Sequence, residues 1–85
     1  MFSIIIAPKA KKQLLKLEKK EIENILRKLN EIREDPLHFI ERLKGLPSWK
    51  LRIGDYRAIM NIDTGKKEIY IEKIGHRRDI YTKLS

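Results

Sequence analysis

Three strand candidates, 49–53, 56–62 and 67–74, follow one another with only Gly54-Asp55 and Asp63-Thr64-Gly65-Lys66 between them. Connections this short cannot carry a crossover, so consecutive strands must pair antiparallel as a meander, with Gly65 suited to the positive φ of a tight hairpin. Alternation in the first strand sends Trp49, Leu51 and Ile53 to one face and Lys50 and Arg52 to the other. A sheet with one oily face needs a cover, and the preceding residues supply it. Ala10, Leu14 and Leu17 recur at helical spacing among Lys9, Lys11, Lys12 and Lys16, which predicts a basic amphipathic helix over roughly residues 8–18 with Pro8 in its first turn. Ile22, Ile25, Leu26, Leu29 and Ile32 predict a second helix that stops just before Pro36.

Phe2-Ser3-Ile4-Ile5-Ile6 is a further strand ending before Pro8, whereas residues 36–48, with Pro36, Gly45 and Pro47, form a connection holding at most one short helical turn. The resulting order, β-α-α-β-β-β, defines an α+β fold with both helices packed on one face of the sheet. Eighty-five residues make one domain, 1–85, that buries only about 60–65 % of its unfolded surface.

Charge narrows the choice of partner. Twenty Lys and Arg against twelve Asp and Glu give a formal net charge of +8, which points to a polyanion such as nucleic acid or an acidic protein; the alternative is a lysine-rich solubilising surface. With no cysteine the chain has neither disulfides nor a thiolate zinc site, and its two histidines lack a nearby carboxylate cluster, so neither metal nor other cofactor is expected. No apolar run approaches the roughly 18 residues of a membrane span. Met1-Phe2-Ser3-Ile4-Ile5-Ile6 lacks the basic flank and length of a signal peptide, and the expected location is the cytoplasm.

Two stretches concentrate the polar chemistry: Trp49-Lys50-Leu51-Arg52-Ile53-Gly54-Asp55-Tyr56-Arg57 and Gly75-His76-Arg77-Arg78-Asp79-Ile80-Tyr81. Guanidinium, ammonium, imidazole and phenol groups beside strand-forming residues suit an anion-handling site built on a small sheet. Cleavage of RNA without a metal, by attack of a 2′-OH on the adjacent phosphate, needs a base, cations for the developing charge and an acid for the leaving oxygen. Arg57 and Arg77 are candidate clamps because a guanidinium offers phosphate a rigid fork of donors. Lys50 is a point charge or a base. Arg52 either meets phosphate or pairs across the sheet with Glu68 or Glu72. Tyr56 and Trp49 fit the core, Tyr81 fits stacking on a base as well as packing, and His38 beside Phe39 is a bystander.

Together with Leu43-Lys44-Gly45-Leu46, and in this order and spacing, these motifs resemble the RelE-type toxins of the RelE/ParE toxin–antitoxin superfamily. The resemblance implies a ribosome-dependent endoribonuclease that cuts messenger RNA in the decoding site, inhibits translation and is silenced by an acidic, RelB-like antitoxin wrapped around it in a higher-order complex. Lys50, Arg52, Arg57, Arg77 and Tyr81 match positions that such toxins use for binding or catalysis. Ser48 stands where relatives carry a further lysine, and His76 is the added acid–base candidate. RNA backbone, chiefly ribosomal, is the natural partner of Lys9, Lys11, Lys12, Lys16, Lys19 and Lys20, with Lys44 and Arg78 beside them; an acidic antitoxin helix would satisfy the same charge. ParE-type relatives share the fold but poison DNA gyrase, so a gyrase-directed toxin and a catalytically inactive binding module are the alternatives.

Overall fold

A computed structural model describes residues 1–80. Strand β1 (Ser3–Ile6) leads into helix α1 (Pro8–Leu15) and helix α2 (Lys19–Glu31), followed by a 3-10 turn at Pro36–His38. The remainder forms β2 (Glu41–Arg42), β3 (Trp49–Ile53), β4 (Tyr56–Asp63) and β5 (Glu68–His76). All five strands join one sheet in the order β1-β5-β4-β3-β2. β1 runs parallel to β5, with Ser3 opposite Glu68 and Ile6 opposite Ile71. A parallel neighbour requires a crossover, and the helical pair is that crossover. Ala10 and Leu14 of α1 and Ile25, Leu29 and Ile32 at α2 are buried against Leu51, Ala58, Met60, Ile69, Ile71 and Ile74 of the sheet.

The predicted α+β order stands, with local corrections. α1 ends at Leu15 because the amides of Lys16 and Leu17 turn back to the carbonyls of Gln13 and Leu14, tightening the last turn. α2 stops at Glu31, not beside Pro36. Its end is tied to β1 instead: Phe2 N–H donates to the Arg33 carbonyl at 2.9 Å, and Arg33 Nε donates to the Phe2 carbonyl at 2.9 Å. Leu26, assigned to the oily face, is 44 % exposed.

The connection before β3 contains a strand that composition did not announce. Glu41 pairs with Lys50 and Arg42 with Trp49, while Leu43 N–H donates to the Ser48 carbonyl at 2.9 Å across a turn in which Gly45 has φ +76°. In the β3–β4 turn Gly54 takes the left-handed conformation, φ +59°, as a two-residue hairpin of this kind requires. Gly65 does not; in the last hairpin the positive φ belongs to Lys67, at 54°, and Asp63 Oδ1 accepts from the Lys66 amide at 3.0 Å.

β5 is interrupted by a register shift opposite Ile59 and Met60, which pair with Lys73 and Ile71 respectively. One extra residue in β5 lets both Ile71 and Ile74 face the helices although they are three apart. It also swings Glu72 to a hydrogen bond with the Asn61 amide.

Candidate functional site

The face of the sheet away from the helices carries Lys50, Arg52, Arg57, Ile59 and Lys73, as the strand registers dictate. Arg52 and Arg57 are direct cross-strand partners. Side chains so placed have Cβ atoms about 5 Å apart, and like charges there repel. The two guanidiniums resolve this differently. Arg57 is 8 % exposed and its Nη1 donates to the carbonyls of Gly54 and Tyr56, each at 2.8 Å. Arg52 stays exposed, and among the described residues it has no carboxylate within ion-pair distance. The suggested partners are engaged elsewhere, Glu68 with the Tyr70 hydroxyl at 3.1 Å and Glu72 with Asn61. Lys50 lies 3.8 Å from Glu41 of β2, a counter-charge that only the pairing of β2 with β3 brings within reach.

Near these cations sits a small second core of Leu43, Ile59 and Ile80. Its position follows from Gly75, the cross-strand neighbour of Arg57. A Cβ at Gly75 would lie 3.2 Å from Ile80 Cδ1, so the absence of a side chain there is what lets the C-terminal turn close onto the sheet. The turn is also held by backbone bonds: Arg77 N–H to the Asp55 carbonyl at 2.8 Å, and the amides of Asp79 and Ile80 to the His76 carbonyl at 2.9 and 3.0 Å. Arg77 and Arg78 are exposed on this turn. Tyr81 lies outside the described residues.

His76 is not brought to the same place. It pairs with Tyr56, whose face is that of the helices, and the two rings meet edge-on at 5.6 Å. Its Nδ1 accepts the Arg78 amide at 3.2 Å. The imidazole thus stands on the opposite side of the sheet from Lys50, Arg52 and Arg57. Trp49 is half-buried against the core, with the Arg42 guanidinium 5.2 Å from its ring centre. The phenol of Tyr70, at the far end of the open face, is raised above its usual value by its hydrogen bond to Glu68 and by that carboxylate's charge, which keeps it protonated.

Lys9, Lys11, Lys12, Lys16, Lys19, Lys20 and Lys44 are all exposed. The first four ride on or just beyond α1 and the next two open α2, so they form a ridge distinct from the sheet face. Lys73 is the cation missed from sequence. Its signal was the spacing of Ile71 and Ile74, which breaks strict alternation and places Lys73 opposite Ile59. No group of three or more potential metal ligands occurs among the described residues. No helix there is long and apolar enough to cross a membrane.

The chain thus presents a five-stranded sheet covered by two helices on one side, with Lys50, Arg52, Arg57 and Lys73 on the other. The chain belongs to the family described as the ParE toxin of type II toxin–antitoxin systems, whose family model matches residues 4–81. No curated protein matches it. Among solved structures it is similar to the toxin–antitoxin complex RelBE2 from Mycobacterium tuberculosis, at 20 % identity and a TM-score of 0.81, covering 89 % of this chain and 98 % of that one. It is also similar to the archaeal RelE–RelB complex from Pyrococcus horikoshii, at 25 % identity and a TM-score of 0.76, covering 89 % and 94 %. The isolated RelE toxin from E. coli matches at 25 % identity and a TM-score of 0.77, covering 96 % and 93 %. This chain is a type II toxin of the RelE/ParE fold.

Proposed function

We propose that the protein is a metal-independent endoribonuclease that cuts messenger RNA in the decoding site of the ribosome and thereby stops translation. The observation that carries this reading is the Arg52–Arg57 pair: two guanidiniums directly opposed on an open sheet face, with no carboxylate at Arg52 among the described residues. Such an arrangement costs fold stability and gains it back only when an anion arrives. Arg52 and Arg77, both exposed, are placed to hold phosphate oxygens, and Lys50 adds a point charge from the same face as Arg52. Arg57, turned into the carbonyls of Gly54 and Tyr56, fixes the hairpin that aims Arg52.

His76, on the other side of the sheet, is poorly placed to replace a base at Ser48. The open face therefore offers charge stabilisation more than proton transfer, which suits an enzyme whose substrate is held in attack geometry by the ribosome. The lysine ridge of the helices supplies sequence-independent contacts to RNA backbone. The partner that silences the toxin is a RelB-like antitoxin, as its similarity to RelE–RelB complexes supports; the two form a higher-order complex and both act in the cytoplasm. Primer extension on a message translated with and without this protein tests the reading. Cleavage only when ribosomes are present supports it.

The second reading, a gyrase-directed toxin, draws support from the family model and from the burial of Arg57, which leaves fewer free cations than the sequence promised. A supercoiling assay with purified gyrase separates the two.

A further inference from the structure

β1 pairs with residues 68–71 of β5, so among the described residues the edge of β5 from Glu72 onward has no neighbouring strand. α1 fills part of that space: Gln13 Oε1 accepts the Ile74 amide at 2.9 Å and satisfies the uncovered edge. What remains is a cleft of about 380 Å³ between α1, the end of β5 and the C-terminal turn. Its rim carries Lys9 and Lys16 from one face of α1, two helical turns or about 10 Å apart, and Lys73 from β5. Among the described residues Asp79 is the only carboxylate that lines it. Its floor is the edge-to-face pair of Tyr56 and His76.

Cations around an aromatic floor match a group that is anionic at one end and flat and apolar at the other. The size decides between two such groups. The volume is in the range that encloses a small molecule, and it is too small for a partner helix, which with side chains is about 10–12 Å across. His76 adds a donor: with Nδ1 accepting from the Arg78 amide, the neutral ring carries its proton on Nε2. The ridge of helix lysines and His76, which sequence alone kept apart as backbone contacts and an acid–base group, thus meet in one place.

We propose that this cleft is a nucleotide subsite, holding one nucleotide of an RNA strand with its phosphate on Lys9 and Lys16 and its base against Tyr56 and His76. The turn that carries Arg77 and Arg78 borders the cleft through Asp79 and Ile80, and Ile80 also packs with Leu43 and Ile59 beside the open face. The proposal rests on the RNA-directed reading of the protein and adds a second contact to it at the β5 edge of the sheet.

The test is titration of the isotopically labelled protein with adenosine 5′-monophosphate and with a short oligouridylate, followed by amide chemical shifts. The account expects shifts at Lys9, Gln13, Lys16 and His76 with either ligand. In the Lys9→Gln/Lys16→Gln double variant the mononucleotide should bind about fivefold or more weakly, and the salt slope of oligonucleotide binding should fall by roughly 0.7, one phosphate contact. The Arg52→Thr variant should keep the cleft shifts. Shifts confined to the open face, equal affinity in the double variant, or a cleft that answers only to an acidic peptide would overturn the proposal. Its failure is distinct from failure of the ribonuclease reading: in the first case messages are cut while the cleft resonances stay still, and in the second the cleft binds nucleotide while messages remain intact.

Discussion

Arg52 and Arg57 face one another across the β3–β4 hairpin, one exposed and one buried with its Nη1 on the carbonyls of Gly54 and Tyr56. A sheet selected for stability alone would place a Thr or a carboxylate opposite an arginine. Replacing Arg52 by Thr should therefore leave the fold as stable or raise it by roughly 0.2–1 kcal/mol, while message cleavage falls sharply. Urea denaturation alongside primer extension reads both; a variant that is destabilised and still fully active assigns Arg52 to structure.

Arg77→Ala should reduce cleavage by about 10²–10³-fold, the loss expected when one positioned donor to a charged transition state is removed. Folding should survive, since the side chain is exposed and the bond to Asp55 is made by the backbone amide. Full activity in this variant, measured on translated message, removes Arg77 from the site.

Gly75→Ala places a methyl group 3.2 Å from Ile80 Cδ1 and should lift the C-terminal turn from the sheet. The expected signs are faster amide exchange at Asp79 and Ile80, a loss of stability of about 1–3 kcal/mol and lower cleavage, all mimicked by Ile80→Ala. Exchange rates equal to wild type would show that the turn does not depend on this contact.

The lysine ridge has a salt signature. Changing Lys11, Lys12 and Lys19 to Gln should reduce the slope of log K against log salt for ribosome binding by about two to three if all three meet phosphate. An unaltered slope makes these lysines solubilising, or leaves them to the antitoxin.

The meander and the oily helix faces were legible because short turns and simple periodicity leave little choice of partner. Strand β2 was not: Glu41 and Arg42 have no strand signature of their own and pair only because Lys50 and Trp49 offer an edge. The site was legible as a residue set but not as a geometry. Strand alternation correctly put Lys50 and Arg52 on one face, where the hairpin register adds Arg57, yet the same motif that carries Arg77 carries His76 to the other side, since β5 runs on through His76. The role of Gly75 was hidden too, because it depends on Ile80 folding back, a contact with no local pattern.

Cleavage of messages by the open face on the ribosome is read by mapping 5′ ends on a defined message in a reconstituted translation system, with wild type and with Arg52→Thr. New ends should appear at codons in the decoding site for wild type, none when ribosomes are omitted and at least a hundredfold fewer for the variant. Intact messages together with inhibited supercoiling by gyrase would contradict it.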